Sequence, residues 1–411
     1  MILFRIRTLI ISTLALVFLV FLFSCKGDIN KNKFGKQIHK NDRNITTTWD
    51  TTLSPKLEEW FKKLSTTNGF NGNLLVAKSG QIIYQNSSGY ANFDKKDTLT
   101  LESRFQTGSL SKPFTAMAIM ILKERGQLNY KDEVEKYIPG FPYKGVTIWQ
   151  LLSHRSGLPN YNYFSDEYTD KETTIYNSDV VKMMIDSIPA AYAKPNTHFE
   201  YCNTNYVLLS YIVEKVSKMP FENFMEIEIF KKAGMKNTSI LINGKQTRIY
   251  KAATGYHFKW SVATLTYQDG VTGDKGVYTT IEDLFMWNLA LDNNLLVKKE
   301  TLEEAFQPTS HEKKGNRNYG LGWRMLNTID SSKLVYHGGW WRGFNSLFLK
   351  DIKNDAVIVL LSNVRSRAFY LNFRQLLGIV DPERGQMQAE IDSLYLKQVN
   401  GKDSIPAELD L

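Results

Sequence analysis

Segments typical of β-strands lie near both ends of this 411-residue chain, and a long helical stretch separates them. Residues 73–78 and 81–85 form a predicted hairpin about Ser79-Gly80. Further strands are predicted for residues 320–326, 333–337, 344–350 and 356–361, followed by a closing helix at 368–377. Helical spacing is found at residues 55–64, 112–125, 147–153, 181–188, 205–217, 221–230 and 276–291. The pattern predicts an α/β fold of the α+β type. One antiparallel sheet would be built from both chain ends and flanked by helices, with an inserted, mainly helical lobe and a pocket between them.

The N-terminus has the layout of a secretory signal, because Arg5 and Arg7 precede an apolar run at residues 9–23 and then Cys25. The run is short for a membrane span, which needs about 20 residues. Residues 22–25 resemble a bacterial lipobox, whose cysteine becomes lipidated; an uncleaved anchor helix is the alternative. We expect an exported lipoprotein attached through Cys25 to the bacterial cell envelope, on the periplasmic or outer-membrane side.

Domain boundaries follow from composition. Residues 1–25 are the predicted lipoprotein signal peptide, 26–54 a polar spacer, 55–378 the main folded domain and 379–411 a charged tail. Of the net charge of +9, +6 lies in residues 1–44, so the domain itself lacks the basic clusters typical of nucleic-acid binding. The histidine and cysteine spacings indicate no metal site. We expect the chain to contact a membrane through the lipid and not to bind nucleic acid; the oligomeric state is left open.

The strongest chemical signal is Ser109-Leu110-Ser111-Lys112 at the start of the helix predicted for residues 112–125. Ser109 and Lys112 share a helical face, so the amine can approach the hydroxyl. A lysine in a pocket can take the proton that makes serine a nucleophile. The pattern also arises by chance on surface helices, so it needs support elsewhere in the chain.

Two further groups supply that support. Tyr201 and Asn203, two residues apart before a helix, can point into one cleft; taken alone, Tyr201 would be an ordinary half-buried tyrosine. The segment His337-Gly338-Gly339-Trp340 ends a strand with two glycines, which indicates either a close backbone approach to a ligand or a simple bulge.

Taken together, these groups resemble the motifs of the serine β-lactamase-related hydrolases. That family includes class C β-lactamases, penicillin-recognising D-Ala-D-Ala carboxypeptidases and family VIII carboxylesterases. S-x-x-K, Y-x-N and a glycine-containing third motif occur in the family's order. Residues 150–159 resemble its L-L-x-H-x-S-G-L-P run, 234–238 its G-M-x-x-T segment and 319–323 its Y-G-L-G-W strand. The resemblance covers roughly residues 71–377.

The resemblance implies an acyl-enzyme on Ser109, with Lys112 and Tyr201 handling protons and Asn203 as an orienting amide. It implies an oxyanion hole from the N–H groups of Ser109 and Trp340, and no cofactor. Class C enzymes have lysine where His337 stands and a hydroxyl residue where Gly338 stands. The absence of that lysine weakens the expectation that this chain binds the carboxylate of a β-lactam.

Trp341 and Arg342 follow the third motif directly. They are candidates for a substrate pocket wall, with Arg342 able to grip an anion; ordinary packing is the alternative. We expect a serine hydrolase that cleaves an ester or a D-amino-acid-type peptide bond in a small or cell-wall-like substrate. A non-hydrolytic penicillin-binding, acyl-sensing or binding protein is the alternative, and a true β-lactamase is less expected.

Overall fold

The computed structural model describes residues 48–67, 69–242, 249–311, 317–327, 333–365, 369 and 373–382. Within these ranges the α-helices are α1 Leu53–Thr67, α2 Lys112–Glu124, α3 Ile148–Leu152, α4 Tyr161–Tyr168, α5 Asn177–Asp186, α6 Asn203–Ser217, α7 Phe221–Met225, α8 Lys231–Ala233, α9 Ile281–Asp292, α10 Lys299–Ala305 and α11 Phe373–Val380. A π-helical segment, Glu226–Phe230, joins α7 to α8. Short 3₁₀ turns occur at Gly108–Ser111, Val134–Lys136, Phe258–Trp260 and Tyr267–Gly270.

The strands in the same ranges are β1 Gly72–Lys78, β2 Gln81–Ser88, β3 Tyr90–Asn92, β4 Asp97–Thr98, β5 Phe105–Gln106, β6 Ser239–Ile240, β7 Val277–Thr279, β8 Ser310–His311, β9 Arg317–Tyr319, β10 Arg324–Asn327, β11 Lys333–Trp341, β12 Phe344–Asp351 and β13 Ala356–Ser362. Eight of them form one sheet in the order β2-β1-β13-β12-β11-β10-β9-β8. Each pairing in it is antiparallel. Because β1 and β2 precede the helical lobe and the other strands follow it, the predicted fold class is confirmed.

The sheet is buried on both faces. Along β13, Val357 and Val359 face the core that contains α2 and α9. Ile358 and Leu360 face a second core, which α1 and α11 cover. Alternation of period two places successive side chains on opposite faces. Both faces of this central strand are apolar because each face meets a helical layer.

A helix predicted for residues 276–291 begins later than the pattern indicated. Residues 277–279 instead form β7, which pairs with β5 and β6 in a three-stranded sheet. Thr280 is the N-cap of α9, and its side chain accepts a hydrogen bond from the N–H of Asp283. The β-branched and aromatic residues of β7 favour a strand. This small sheet matters because β5 leads directly into the turn that carries Ser109.

A strand predicted for residues 320–326 is also wrong as a single element. The chain turns between β9 and β10, where Gly320 N–H donates to Trp323 O at 2.8 Å. Gly322 has φ +86°, and an added Cβ would lie 2.4 Å from the Cβ of Ala116. A turn this close to α2 requires glycine. The two glycines of residues 320–322 therefore mark a bend rather than a continuous strand.

Several local predictions are confirmed. α1 buries Leu57 and Trp60 as its apolar stripe indicated, and Thr147 caps α3 through a capping box. Ile188, predicted to continue the stripe of α5, lies beyond its end and is exposed.

No helix among the described residues is long and apolar enough to cross a bilayer. The predicted signal peptide with Cys25, residues 26–47 of the spacer and residues 383–411 of the tail lie outside the described residues.

Candidate active site

Ser109 lies in the 3₁₀ turn Gly108–Ser111, immediately before α2. Thr107 fixes this turn: its N–H donates to Val277 O at 2.9 Å, and its O accepts from Ser346 Oγ at 2.6 Å. Gly108 has φ +51°, and an added Cβ would lie 2.9 Å from the backbone N of Trp340. The turn is therefore held against both β7 and β12, and only glycine fits beside the third motif.

Lys112 is fully buried, and its ammonium or amine group has three oxygen neighbours. Nζ lies 2.9 Å from Ser109 Oγ, 2.8 Å from Asn203 Oδ1 and 3.2 Å from the backbone O of Asp274. A buried lysine needs such partners, since an unpaired charge or amine away from water is costly. The structure thus brings Ser109, Lys112 and Asn203 together as the sequence motifs implied.

A relay of three amides fixes which end of Asn203 faces Lys112. Gln268 Nε2 donates to the backbone O of Asn162 at 3.2 Å, an atom that can only accept. Gln268 Oε1 therefore accepts from Asn162 Nδ2 at 2.9 Å, and Asn162 Oδ1 accepts from Asn203 Nδ2 at 2.6 Å. This leaves Asn203 Oδ1 for the lysine. Asn162 and Gln268 carry no local motif, and the sequence analysis missed both.

Tyr201 is placed by contacts to its ring. The ring packs against His154 in a tilted arrangement, with centroids 4.3 Å apart and an interplanar angle of 33°. Lys112 Nζ lies 4.9 Å from its centroid and Arg324 Cζ lies 5.1 Å from it. Arg324 supplies a positive charge beside the ring, and Lys112 supplies a second one when its amine is protonated. Arg324, on β10, is a third residue that the sequence analysis missed.

His154 is buried and acts as an acceptor. Its Nδ1 accepts from Cys202 N–H at 3.1 Å and lies 3.1 Å from Asn205 Nδ2, so the proton belongs on Nε2. Burial, aided by the positive charge of Lys112, holds its pKa well below the usual value. The neutral ring therefore supports the Tyr201–Asn203 segment through its hydrogen bond with the N–H of Cys202.

The third motif occupies the end of β11. A Cβ added to Gly339 would lie 1.9 Å from Thr107 O and 2.8 Å from Ser109 N, whereas one added to Gly338 would meet only Ser346 O, at 3.5 Å. Gly339 is thus required because β11 closely approaches the turn Gly108–Ser111, which carries Ser109 and is called the nucleophile turn below. That approach places the backbone of Trp340 beside Gly108 and the backbone of Ser109 beside Gly339.

His337 is fully buried rather than open to a ligand. Its Nε2 lies 3.2 Å from Tyr319 Oη and its Nδ1 lies 2.6 Å from Gly338 O, so Nδ1 carries the proton. Burial, followed by the charges of Arg324 and Lys112, holds its pKa well below the usual value. The histidine is neutral near pH 7 and supplies no fixed positive charge.

Trp341 and Arg342, the candidate pocket residues, share one buried partner. Trp341 Nε1 and Arg342 Nε donate to Asp269 Oδ1 at 2.7 and 2.9 Å, and Arg342 Nη1 reaches Ala263 O at 3.4 Å. Asp269 is 3% exposed on its side chain, so the guanidinium is committed to an internal ion pair. This geometry matches the packing alternative better than anion binding at Arg342.

A second buried lysine lies beside the site. Lys275 Nζ hydrogen-bonds Tyr161 Oη and is 3.5 Å from Asp274 Oδ1. Tyr161 in turn donates to Asp274 Oδ2 at 2.9 Å. Burial lowers the pKa of Lys275 despite the nearby carboxylate. Since the backbone O of Asp274 contacts Lys112, this cluster fixes one of the three partners of the catalytic amine.

Cys202 is buried between Tyr201 and Asn203, and burial raises its pKa to about 11, so it is a packed thiol rather than a nucleophile. Among the described residues, no group of three histidine, cysteine or acidic side chains could hold a metal ion.

The Beta-lactamase family model matches residues 57–377. Penicillin-binding protein 4* of Bacillus subtilis (strain 168) is 36% identical over 320 residues, which cover 75% of this chain and 71% of that protein.

Two solved structures share the fold. The penicillin binding protein from Bacillus halodurans has a TM-score of 0.67 at 24% identity, over 81% of this chain and 98% of that one. D-amino acid amidase from Ochrobactrum anthropi SV3 has a TM-score of 0.65 at 23% identity, over 82% of this chain and 99% of that one.

Proposed function

The chain belongs to the beta-lactamase family, and on that premise we propose that it is a serine hydrolase that forms an acyl-enzyme on Ser109. The proposed substrates contain an ester or a D-amino-acid-type peptide bond. The observation that carries the proposal is the position of Lys112 Nζ, 2.9 Å from Ser109 Oγ and 2.8 Å from Asn203 Oδ1.

The contacts of Lys112 suit a base. A neutral amine has two N–H donors and one lone pair. Asn203 Oδ1 and Asp274 O can only accept, so they take both donors, and the lone pair is left for the hydroxyl proton of Ser109. In the proposed acylation, Ser109 Oγ bonds to the substrate carbonyl carbon and its proton moves to Lys112. Tyr201 protonates the leaving alcohol or amine and then regains a proton from Lys112. In deacylation, water attacks the acyl-enzyme and the same proton transfers run in reverse, so that the acid is released and Ser109 recovers its proton.

The carbonyl oxygen becomes an oxyanion in both halves of the reaction. The N–H groups of Ser109 and Trp340 are its proposed donors, supported by the contact of Gly339 with the nucleophile turn. One such donor can contribute about 10²- to 10³-fold in rate.

Two observations support an ester or peptide substrate over a β-lactam. His337 is buried and neutral, so the third motif offers no fixed charge for a carboxylate. Arg342 is paired with Asp269. One structural neighbour is a D-amino acid amidase, which supports the D-amino-acid class.

The test is intact-protein mass spectrometry of the full chain in detergent, exposed separately to a fluorophosphonate, p-nitrophenyl acetate, D-phenylalanine amide and a penicillin. We expect one fluorophosphonate adduct on Ser109, none in Ser109→Ala, and labelling retained in Ser111→Ala, the neighbouring serine. Lys112→Met should slow acylation by about 10²-fold or more. Turnover of the ester or the amide supports the hydrolase.

A lasting penicillin adduct without turnover of any substrate would favour the penicillin-binding or acyl-sensing alternative. Rapid penicillin turnover would favour a β-lactamase. A folded chain with no adduct from any reagent would remove the mechanism.

We further propose that the protein is exported and lipid-anchored to the bacterial cell envelope. The proposal is supported by the order of features at the N-terminus, where two arginines precede an apolar run that is followed by Ser24-Cys25. Radiolabelled fatty acid should be incorporated by the full chain and lost in Cys25→Ser; equal labelling of both chains would contradict the anchor.

A further inference from the structure

The 3₁₀ turn Tyr267–Gly270 contacts the candidate active site through two neighbouring side chains. We name it the bridging turn. Its second residue, Gln268, accepts from Asn162 Nδ2 at 2.9 Å, and Asn162 accepts from Asn203 Nδ2 at 2.6 Å. The N–H of Ile175 donates to the first carbonyl of the turn at 2.9 Å, which anchors its backbone. The bridging turn is therefore part of the amide relay that presents Asn203 to the candidate base.

Asp269, the next residue of the turn, uses both of its carboxylate oxygens. Oδ1 accepts from Trp341 Nε1 at 2.7 Å and from Arg342 Nε at 2.9 Å. Oδ2 accepts from Thr266 N–H at 2.5 Å and from Thr266 Oγ1 at 3.2 Å, in the capping box of the bridging turn. An asparagine could not accept at both ends, because its Nδ2 is a donor. The carboxylate therefore fixes its own turn and the end of β11 at the same time.

The end of β11 is a tight hairpin, and one of its loop residues is poorly suited to it. Trp341 pairs with Phe344, so Arg342 and Gly343 form a two-residue loop between β11 and β12. Both have left-handed φ values, 42° and 82°. Such loops favour Asn-Gly or Gly-Gly, and arginine is unfavourable at the first position. Because Asp269 binds the guanidinium, the ion pair holds Arg342 in a conformation that it would not otherwise favour.

This hairpin adjoins the candidate oxyanion hole. The backbone N of Trp340, two residues before the loop, would lie 2.9 Å from a Cβ added to Gly108 in the nucleophile turn. Alternation along β11 puts the side chain of Trp341 on the same face as Gly339, where an added Cβ would lie 1.9 Å from Thr107 O. The contact of Asp269 with Trp341 is therefore made on the face of β11 that lies against the nucleophile turn.

We propose that Asp269 is a positioning residue for the oxyanion hole. It holds the Arg342-Gly343 loop in place and so keeps the N–H of Trp340 at a fixed position relative to the base that Gln268 orients. Asp269 acts through Trp340 and not on the substrate. The proposal rests on the acyl-enzyme function above and adds a residue on which its rate depends.

The test is single-turnover acylation of the full chain by p-nitrophenyl acetate, which gives the saturating rate constant and the half-saturating concentration. Asp269→Asn keeps the size of the side chain but leaves the guanidinium of Arg342 without a carboxylate. We expect the saturating rate constant to fall about tenfold or more, since loss of an oxyanion donor costs about 10²- to 10³-fold. The half-saturating concentration should stay within about threefold of wild type, because the oxyanion forms only in the transition state.

Arg342→Asn supplies a rescue. Asparagine before Gly343 favours this hairpin without an ion pair, so Asp269→Asn/Arg342→Asn should acylate at least about threefold faster than Asp269→Asn alone. A general loss of packing would not be restored by the second substitution.

Asp283→Asn is the matched control. Asp283 is also buried and also accepts from a backbone N–H and a threonine hydroxyl, those of Asn237 and Thr238, at 2.7 and 2.6 Å. This variant should lose stability in a urea unfolding curve and keep the wild-type rate constant.

A folded Asp269→Asn with the wild-type rate constant, or one whose loss Arg342→Asn does not restore, would overturn the assignment while acylation of Ser109 remains. If Asp269→Asn does not fold, Arg342→Gln and Arg342→Asn give the comparison, because both remove the same charge. Arg342→Asn should then acylate at least about threefold faster than Arg342→Gln, and equal rates would overturn the assignment. Absence of acylation in the wild-type chain would remove the proposed function together with this inference.

Discussion

Gly338 and Gly339 are adjacent, but we expect only Gly339 to be sensitive to substitution by alanine. Comparing the two variants is the most direct check on the candidate oxyanion hole. A methyl group on Gly339 would lie 1.9 Å from Thr107 O, 2.7 Å from Ser346 Oγ and 2.8 Å from Ser109 N. Ordinary carbon–oxygen contacts are about 3.3 Å or longer, so β11 or the nucleophile turn must move by more than about 1 Å. The same methyl on Gly338 would meet only Ser346 O, at 3.5 Å, which is an ordinary contact.

Displacement of one oxyanion donor by that amount should cost about 10²- to 10³-fold in kcat/KM. We therefore expect Gly339→Ala to lose at least about 100-fold in p-nitrophenyl acetate hydrolysis, and Gly338→Ala to stay within about threefold of wild type. Overpacking should also lower the free energy of unfolding of Gly339→Ala by about 1–3 kcal/mol.

The assay is steady-state hydrolysis with a urea unfolding curve for each variant, so that a displaced donor is distinguished from a lost fold. A folded Gly339→Ala with the same kcat/KM as Gly338→Ala would refute the placement of β11 against Ser109.

The remaining predictions concern buried ionisable groups. His154 and His337 have pKa values well below the unfolded value of about 6.5, so the unfolded chain binds more protons and stability falls as pH drops below about 6.5. Both histidines should therefore lower the free energy of unfolding between pH 7.5 and pH 5.5, whereas Asp283, whose pKa is raised to about 6, should offset part of that loss. Equal urea midpoints at pH 7.5 and 5.5 would contradict this. Lys275→Met should lower kcat at least tenfold by releasing the Asp274 cluster, whereas Lys350→Met, at a buried lysine paired with Asp292 at 2.6 Å, should lose stability but keep kcat. Equal kcat in the two variants would show that Lys275 has only a structural role.

Local patterns in the sequence determined much of the fold. Spacing over one or two turns predicted α1 and α2, and the Thr147 cap predicted the start of α3. Strand-like runs predicted the hairpin β1–β2 and the strands β11, β12 and β13. These features depend on neighbours a few residues apart, so the chain's own order contains them. The pairing of both chain ends into one sheet followed from their strand character.

The sequence by itself predicted Ser109, Lys112 and Asn203 as candidate active-site residues, because each lies in a short motif. Only the tertiary structure decided what surrounds them. Gln268 orients Asn162 from 106 residues away, and Asp269 takes the guanidinium of Arg342 from 73 residues away. No local spacing encodes such contacts, since they depend on how distant elements pack. Burial likewise made His337 neutral, because desolvation acts through the packed surroundings rather than through the residue itself.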